Sequence, residues 1–226
     1  MHLRTILYLK ASLFAFAFFF TPALAEENHE TLPHRHLSET TAELITRLQD
    51  GGYVLVTRHE RTNAFIPDSH DVELENCATQ RNLSVAGYAT AVENGAILRH
   101  LQIPIGHVFA SPACRTLETA RLMFGTVSPE IKLLGYGQAQ DAVRSALTEL
   151  VKDGSGRSGN TALVTHLGTY AATFGGYLAE GDTAIFDVVN GLPVLLGVIA
   201  GNVWNDAIID ASHTARAGED DTHDHD

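Results

Sequence analysis

The chain predicts an α/β protein: a three-layer α/β/α sandwich around a mostly parallel sheet with an antiparallel edge strand. Three observations lead there. Short apolar runs rich in β-branched residues at 53–57 and 161–165 read as buried strands, and residues 108–111 read as a further strand between them. Segments of helical period alternate with them. The chain then offers two strand-like stretches, 184–189 and 193–200, meeting at Asn190-Gly191, which read as a hairpin and so as an antiparallel edge.

Residues 1–25 read as a secretory signal. Arg4 and Lys10 give a basic start, residues 11–20 an apolar run, and Ala23-Leu24-Ala25 a small-x-small cleavage pattern. Cleavage after Ala25 predicts a secreted or periplasmic protein. The run is too short for a comfortable membrane span, so no stable insertion is expected once it is removed; an uncleaved N-terminal anchor is the alternative. Residues 26–39 form a polar leader with His29, His34 and His36. Residues 40–210 form the folded domain, and 211–226 an acidic tail carrying His213, His223 and His225, which composition predicts to be disordered.

Within the domain, Thr40 or Thr41 opens a helix whose Leu44, Ile45 and Leu48 share a face and which Gly51-Gly52 stops. Residues 60–81 show no periodicity and contain Pro67, Asp68, Asp71 and Asn76; so long a connection reads as a functional loop. Ser84 caps a helix to about residue 100, with Ala86, Ala89, Ala91, Ile97 and Leu98 inward. Pro112 starts a helix through 124. A short strand is expected at 132–134, helices at 138–152 and 169–178, and a loop at 153–160.

With 15 Lys+Arg against 27 Asp+Glu, the net charge is −12. The predicted signal contains Arg4 and Lys10 and no acid, so the mature chain is more acidic still. Such a protein is a poor general binder of nucleic acid or anionic lipid. Arginines at strand ends oppose that field and therefore stand out. In an oxidising compartment Cys77 and Cys114 either pair or remain two separate buried thiols; both states are open at this level.

The chemistry concentrates where strands end. The first strand empties into Arg58-His59, the segment HVFASPACRT carries Arg115, and TALVTHLG carries His166. In open α/β sheets the carboxyl edge is where ligands bind. A phosphoryl group spreads charge over three oxygens, and an arginine fork grips two of them at once. A neutral histidine serves as nucleophile near physiological pH. Arg58 and Arg115 are thus candidate phosphate ligands, His59 the candidate nucleophile and His166 a second histidine at the phosphoryl group. Thr62 and Ser111 are candidate hydroxyl donors for substrate. His100 and His107 lack such company, and Arg81 reads as a residue that holds the loop rather than touching substrate.

These blocks resemble the histidine phosphatase (phosphoglycerate mutase-like) superfamily. TRHERT matches its opening Arg-His-Gly signature with Glu60 in the glycine position, and QRNLSVAGYATA, ASPACRTLETA and LVTHLGT follow in the family's order. The resemblance spans about Gly51 to Trp204 and looks like a small exported member with a minimal cap. It implies that His59 becomes phosphorylated inside a pocket of Arg58, Arg115 and His166, with no cofactor and no metal. Glu60 beside the nucleophile either tunes His59 or turns to solvent, and is carried as a substrate-binding candidate. The acid that protonates the leaving group does not transfer: Asp182 in AEGDTAIF is the favoured substitute, with Glu60, Asp68 and Asp141 as others.

The resulting expectation is an exported phosphatase hydrolysing a phosphomonoester on a small molecule or phosphoprotein, with no nucleic-acid partner. The alternatives are a non-catalytic phosphate-binding or regulatory module with the same pocket, and metal binding by the histidine-rich termini. Oligomeric state and substrate identity have no signal in the residues.

Overall fold

The structure is a computed structural model that describes residues 39–204. The expected signal, most of the leader and the acidic tail lie outside the described residues. Six strands form one sheet: β1 (Val54–Arg58), β2 (Ile105–Ala110), β3 (Ser128–Pro129), β4 (Asn160–Thr165), β5 (Thr183–Val189) and β6 (Leu192–Ile199). Their order is β3-β2-β4-β1-β5-β6. The first four are parallel, and β5 and β6 pair antiparallel, so the hairpin supplies two strands at one edge. Asn190 and Gly191 both take positive φ (53° and 76°), the turn geometry that matches strand twist.

Side-chain alternation divides the core in two. Leu55 and Ile185 point to one face, where α1 (Thr41–Asp50), α2 (Val85–His100) and α3 (Cys114–Phe124) supply Leu44, Leu48, Leu98 and Met123. Val54, Val56 and Phe186 point to the other, against Leu147 and Val151 of α4 (Gln140–Gly154) and Tyr170 of α5 (Leu167–Phe174). The three-layer sandwich and its mixed edge are as the sequence predicts. So is the opening helix: Thr40 accepts from the Glu43 N–H while Glu43 reaches back to the Thr40 backbone, a complete capping box.

Several boundaries move for local reasons. Residues 131–133 form a 3-10 turn rather than a strand; the pairing to β2 is made by Ser128–Pro129 just before it. α3 begins at Cys114 rather than Pro112, because Thr116 N–H and Oγ1 both bond Ala113 O and make Ala113 the cap. α4 runs two residues further than expected, since Gly154 stays helical and its carbonyl accepts from Thr161 Oγ1. α5 ends at Phe174, where Gly175 and Gly176 take φ of 74° and 70°. In α2, Ala86 and Ala89 are exposed; Gly87 and Asn94 face inward with Ala91 instead. Gly87 is required there, because a Cβ would stand 2.1 Å from the Arg61 carbonyl oxygen. The long 60–81 connection contains one 3-10 turn, Cys77–Thr79.

Candidate functional site

Sheet register assembles the site. Arg58 at the end of β1 pairs with Thr165 of β4, and Ala110 of β2 pairs with Val164. The residues that follow these positions, His59, Ser111 and His166, therefore emerge together at the carboxyl edge. Arg115 arrives one helical turn later, on the first turn of α3. The rings of His59 and His166 are 5.5 Å apart.

His59 is almost fully buried, at 2% exposure. Its Nδ1 lies 2.9 Å from the Glu60 carbonyl oxygen. A carbonyl only accepts, so Nδ1 carries the proton and Nε2 keeps its lone pair. Burial pushes the imidazole down to about 4, helped by the Arg115 and Arg58 charges and opposed by the Glu60 carbonyl and Glu180. The ring is neutral at pH 7. His166 is held well below its ordinary range by burial, then by His59 and the arginines. Its Nε2 sits 2.8 Å from Ser111 Oγ. When that hydroxyl donates, Nδ1 of His166 carries the proton.

Three arginines surround the two rings. Arg58 donates Nη1 to the Leu178 carbonyl at 3.0 Å, and Arg115 donates Nη1 to Asp68 Oδ1 at 3.2 Å. Burial lowers the Arg115 pKa, with Asp68 opposing. The third is Arg81, whose charge depresses both Arg115 and His166. Among the described residues, the Nε atoms of Arg58, Arg81 and Arg115 are buried without a hydrogen-bond partner. Three like-charged donors with unmet bonding capacity next to two neutral histidines make an anion-binding cluster. Arg81 thus turns toward the pocket with its side chain, while its backbone N–H bonds Asp68 and its carbonyl accepts from Arg115. Its QRNLS context gave only the loop-holding half of that.

The carboxylates fall differently from expectation. Asp182 accepts from the Ala179 and Gly201 N–H groups, at 3.1 and 3.0 Å, and so staples the turn before β5. Glu60 is buried on the α2 side, accepting from Asn94 Nδ2 and the Arg61 N–H. Burial pushes its carboxyl up. It neither faces solvent nor turns to the pocket, and Gly181, at φ 87°, leaves it room: a Cβ there would come within 2.8 Å. Asp141 lies exposed on the first turn of α4. Asp68 reaches the pocket edge through Arg115.

The carboxylate at the centre is Glu180, missed because Asp182 drew attention two residues on. Glu180 Oε1 stands 3.6 Å from Arg58 Nη2 and 4.0 Å from His59 Nδ1. Thr62 donates its hydroxyl to Oε1 at 2.8 Å and its N–H to Oε2 at 3.4 Å. Thr62 and Ser111 therefore spend their hydroxyls on Glu180 and His166 rather than standing free for substrate.

A disulfide joins Cys77 to Cys114, with Cα atoms 5.7 Å apart. With the Gln80 side chain accepting from Cys114 N–H at 2.9 Å, it ties the 60–81 loop to the start of the helix that carries Arg115. Among the described residues there is no metal-ligand cluster, and no helix is long and apolar enough to cross a membrane.

Comparison with protein-family models gives no match, and comparison with curated proteins gives none either. Solved structures do match. A phosphoserine phosphatase from Entamoeba histolytica, in complex with 3-phosphoglyceric acid, is similar at 15% identity and TM-score 0.50, covering 66% of this chain and 96% of its own. An Escherichia coli K-12 protein assigned as an alpha-ribazole-5'-P phosphatase is similar at 13% identity and TM-score 0.51, covering 67% and 98%. The protein histidine phosphatase SixA complexed with tungstate is similar at 15% identity and TM-score 0.48, covering 66% and 97%. The six-stranded mixed sheet with helices on both faces is therefore a fold shared with the phosphoserine phosphatase and alpha-ribazole-5'-P phosphatase structures.

Proposed function

We propose that the protein is a phosphatase that hydrolyses a phosphomonoester through a phosphohistidine on His59. The observation that carries this reading is the His59 Nδ1 contact with the Glu60 carbonyl, which leaves Nε2 as a buried lone pair among Arg58, Arg115 and His166. Nε2 attacks phosphorus, the bond from phosphorus to the ester oxygen breaks, and that oxygen leaves with the bonding pair. The arginines and the His166 N–H take up the charge on the three phosphoryl oxygens.

Glu180 supplies the proton that the departing oxygen needs. It is the carboxylate set between Arg58, His59 and Thr62, next to the nucleophile. In the second step Glu180 takes a proton from water. The resulting nucleophile attacks phosphorus, and the phosphorus–nitrogen pair returns to Nε2.

The proposal extends to an exported protein cleaved after Ala25. The signal-like start supports it, and the disulfide is of a kind that persists in oxidising compartments. Turnover of a panel of phosphomonoesters by the mature chain, and its loss in His59→Ala, tests the assignment. Equal turnover by that variant contradicts it.

One observation favours the non-catalytic reading: the carboxylate nearest the nucleophile, Glu180, already accepts from the Thr62 hydroxyl and pairs with Arg58. Protein that binds vanadate and turns over no member of the panel would establish that reading instead.

A further inference from the structure

We infer that Tyr177 is a specificity-determining residue that selects phosphomonoesters with an aromatic leaving group. The inference rests on the phosphatase reading and adds a substrate class to it.

The side chains that meet at His59 are charged and suit the phosphoryl group. Whatever the phosphate is esterified to extends past them. The rim beside Arg58 is aromatic: the Tyr177 ring centroid is 6.0 Å from the guanidinium carbon of Arg58. That places the ring at the outer limit of cation–π attraction to an arginine proposed to grip phosphate. Tyr177 is nevertheless 73% exposed, so most of its ring remains open to a second planar group.

Its position is built rather than incidental. Gly175 and Gly176 turn the chain out of α5 in the left-handed region, and a Cβ at either would meet nothing within 4 Å. Immediately after Tyr177, Leu178 is fully buried and its carbonyl accepts from Arg58 Nη1. The tyrosine is thus carried between a free turn and a fixed anchor, and the anchor is Arg58 itself. Two residues beyond Leu178 comes Glu180, held by Thr62. Three residues after Thr62 in turn, Phe65 is 95% exposed, adding a second aromatic to the loop that leaves the pocket.

An aromatic leaving group stacks on Tyr177 while its phosphate enters the arginine cluster. Burial of two aromatic faces favours it over an aliphatic group of the same charge. No change in the bond-making steps is needed: the leaving oxygen is then phenolic.

Binding of two non-hydrolysable probes separates this inference from the reading beneath it. Phenylphosphonate and methylphosphonate carry the same anionic head, and calorimetry measures each on the wild-type chain, Tyr177→Ala and Tyr177→Phe. The inference expects phenylphosphonate to bind about tenfold more tightly than methylphosphonate to wild type. It expects that ratio to fall to near one in Tyr177→Ala and to persist in Tyr177→Phe, with methylphosphonate affinity the same in all three. Equal affinity of the two probes for wild type overturns the aromatic preference alone. A preference that survives in Tyr177→Ala overturns the role of Tyr177. Failure of both probes to bind wild type overturns the anion pocket, and the inference with it.

Discussion

The Nδ1 atom of His59 lies 2.9 Å from the carbonyl oxygen of Glu60, the residue that directly follows it. This bond fixes the tautomer and aims the other nitrogen, and it is made by backbone, so the side chain at position 60 is free to differ from the glycine of the resembling signature. Here the Glu60 side chain is directed into the α2 interface.

The pH dependence follows from the buried ring. His59 attacks only when neutral, and burial holds it at about 4 instead of 6.5. We expect kcat/KM, corrected for the substrate's own ionisation, to stay level as pH falls through 6.5 and to drop near 4. A break at 6.5 that disappears in no other way contradicts a buried nucleophile.

The same depression predicts a stability window. The unfolded chain accepts a proton near 6.5 that folded His59 refuses until about 4, so stability is full above 6.5 and declines as pH falls between those values. For His59 the decline is on the order of 3 kcal/mol. Urea midpoints at pH 7 and 4.5 measure it, and His59→Gln should show a smaller drop.

Glu180 and Asp182 have separable consequences. Glu180→Gln should cost roughly 10²- to 10⁴-fold in kcat on an alkyl phosphate. It should cost far less on p-nitrophenyl phosphate, whose leaving phenolate needs no proton. Asp182→Ala removes the acceptor for two backbone donors and should lower stability by about 1–3 kcal/mol, with kcat per folded molecule retained. The opposite pattern would return the acid role to Asp182.

Arg81 should behave as an anion ligand. Its Nε is buried without a partner among the described residues, and its charge acts on Arg115 and His166. Arg81→Gln should weaken vanadate inhibition about tenfold or more, losing a charge-assisted hydrogen bond of roughly 1.5–3 kcal/mol. Unchanged inhibition would restrict Arg81 to holding the loop.

The Cys77–Cys114 bond closes a separation of 37 residues. Its removal by Cys77→Ser with Cys114→Ser should cost about 3–4 kcal/mol by the chain-entropy argument. Because it joins the 60–81 loop to the helix carrying Arg115, the KM should rise more than kcat falls. Denaturation midpoints and steady-state rates check both parts.

The fold and the meeting of His59 with His166 were legible because each histidine directly follows a strand, while Arg115 follows β2 on the first turn of α3. Val54, Leu55 and Val56 are buried on both faces and read as a central parallel strand, and Arg58-His59 must follow at its carboxyl edge. The carboxylates were not legible, because they sit on a turn. Glu180 and Asp182 are two residues apart in AEGDTAIF, and only the hydrogen bonds of that turn decide which one faces Arg58. The hydroxyls of Thr62 and Ser111 are ambiguous in the sequence for a similar reason: a hydroxyl near a pocket can serve the substrate or a neighbour, and here each bonds a neighbour. Ala86 and Ala89 in α2 misled because alanine suits either face of a helix, whereas Gly87 marks the close approach to Arg61.

The central claim is that the His59 Nε2 atom accepts the phosphoryl group. Brief mixing with a ³²P-labelled phosphomonoester, quenching in alkali, where phosphohistidine survives, and mapping of the labelled peptide test it most directly. The account predicts label on the peptide containing His59 and none on the His59→Ala protein. Turnover with no label on wild type under rapid quenching, or label on His166 instead, would contradict it.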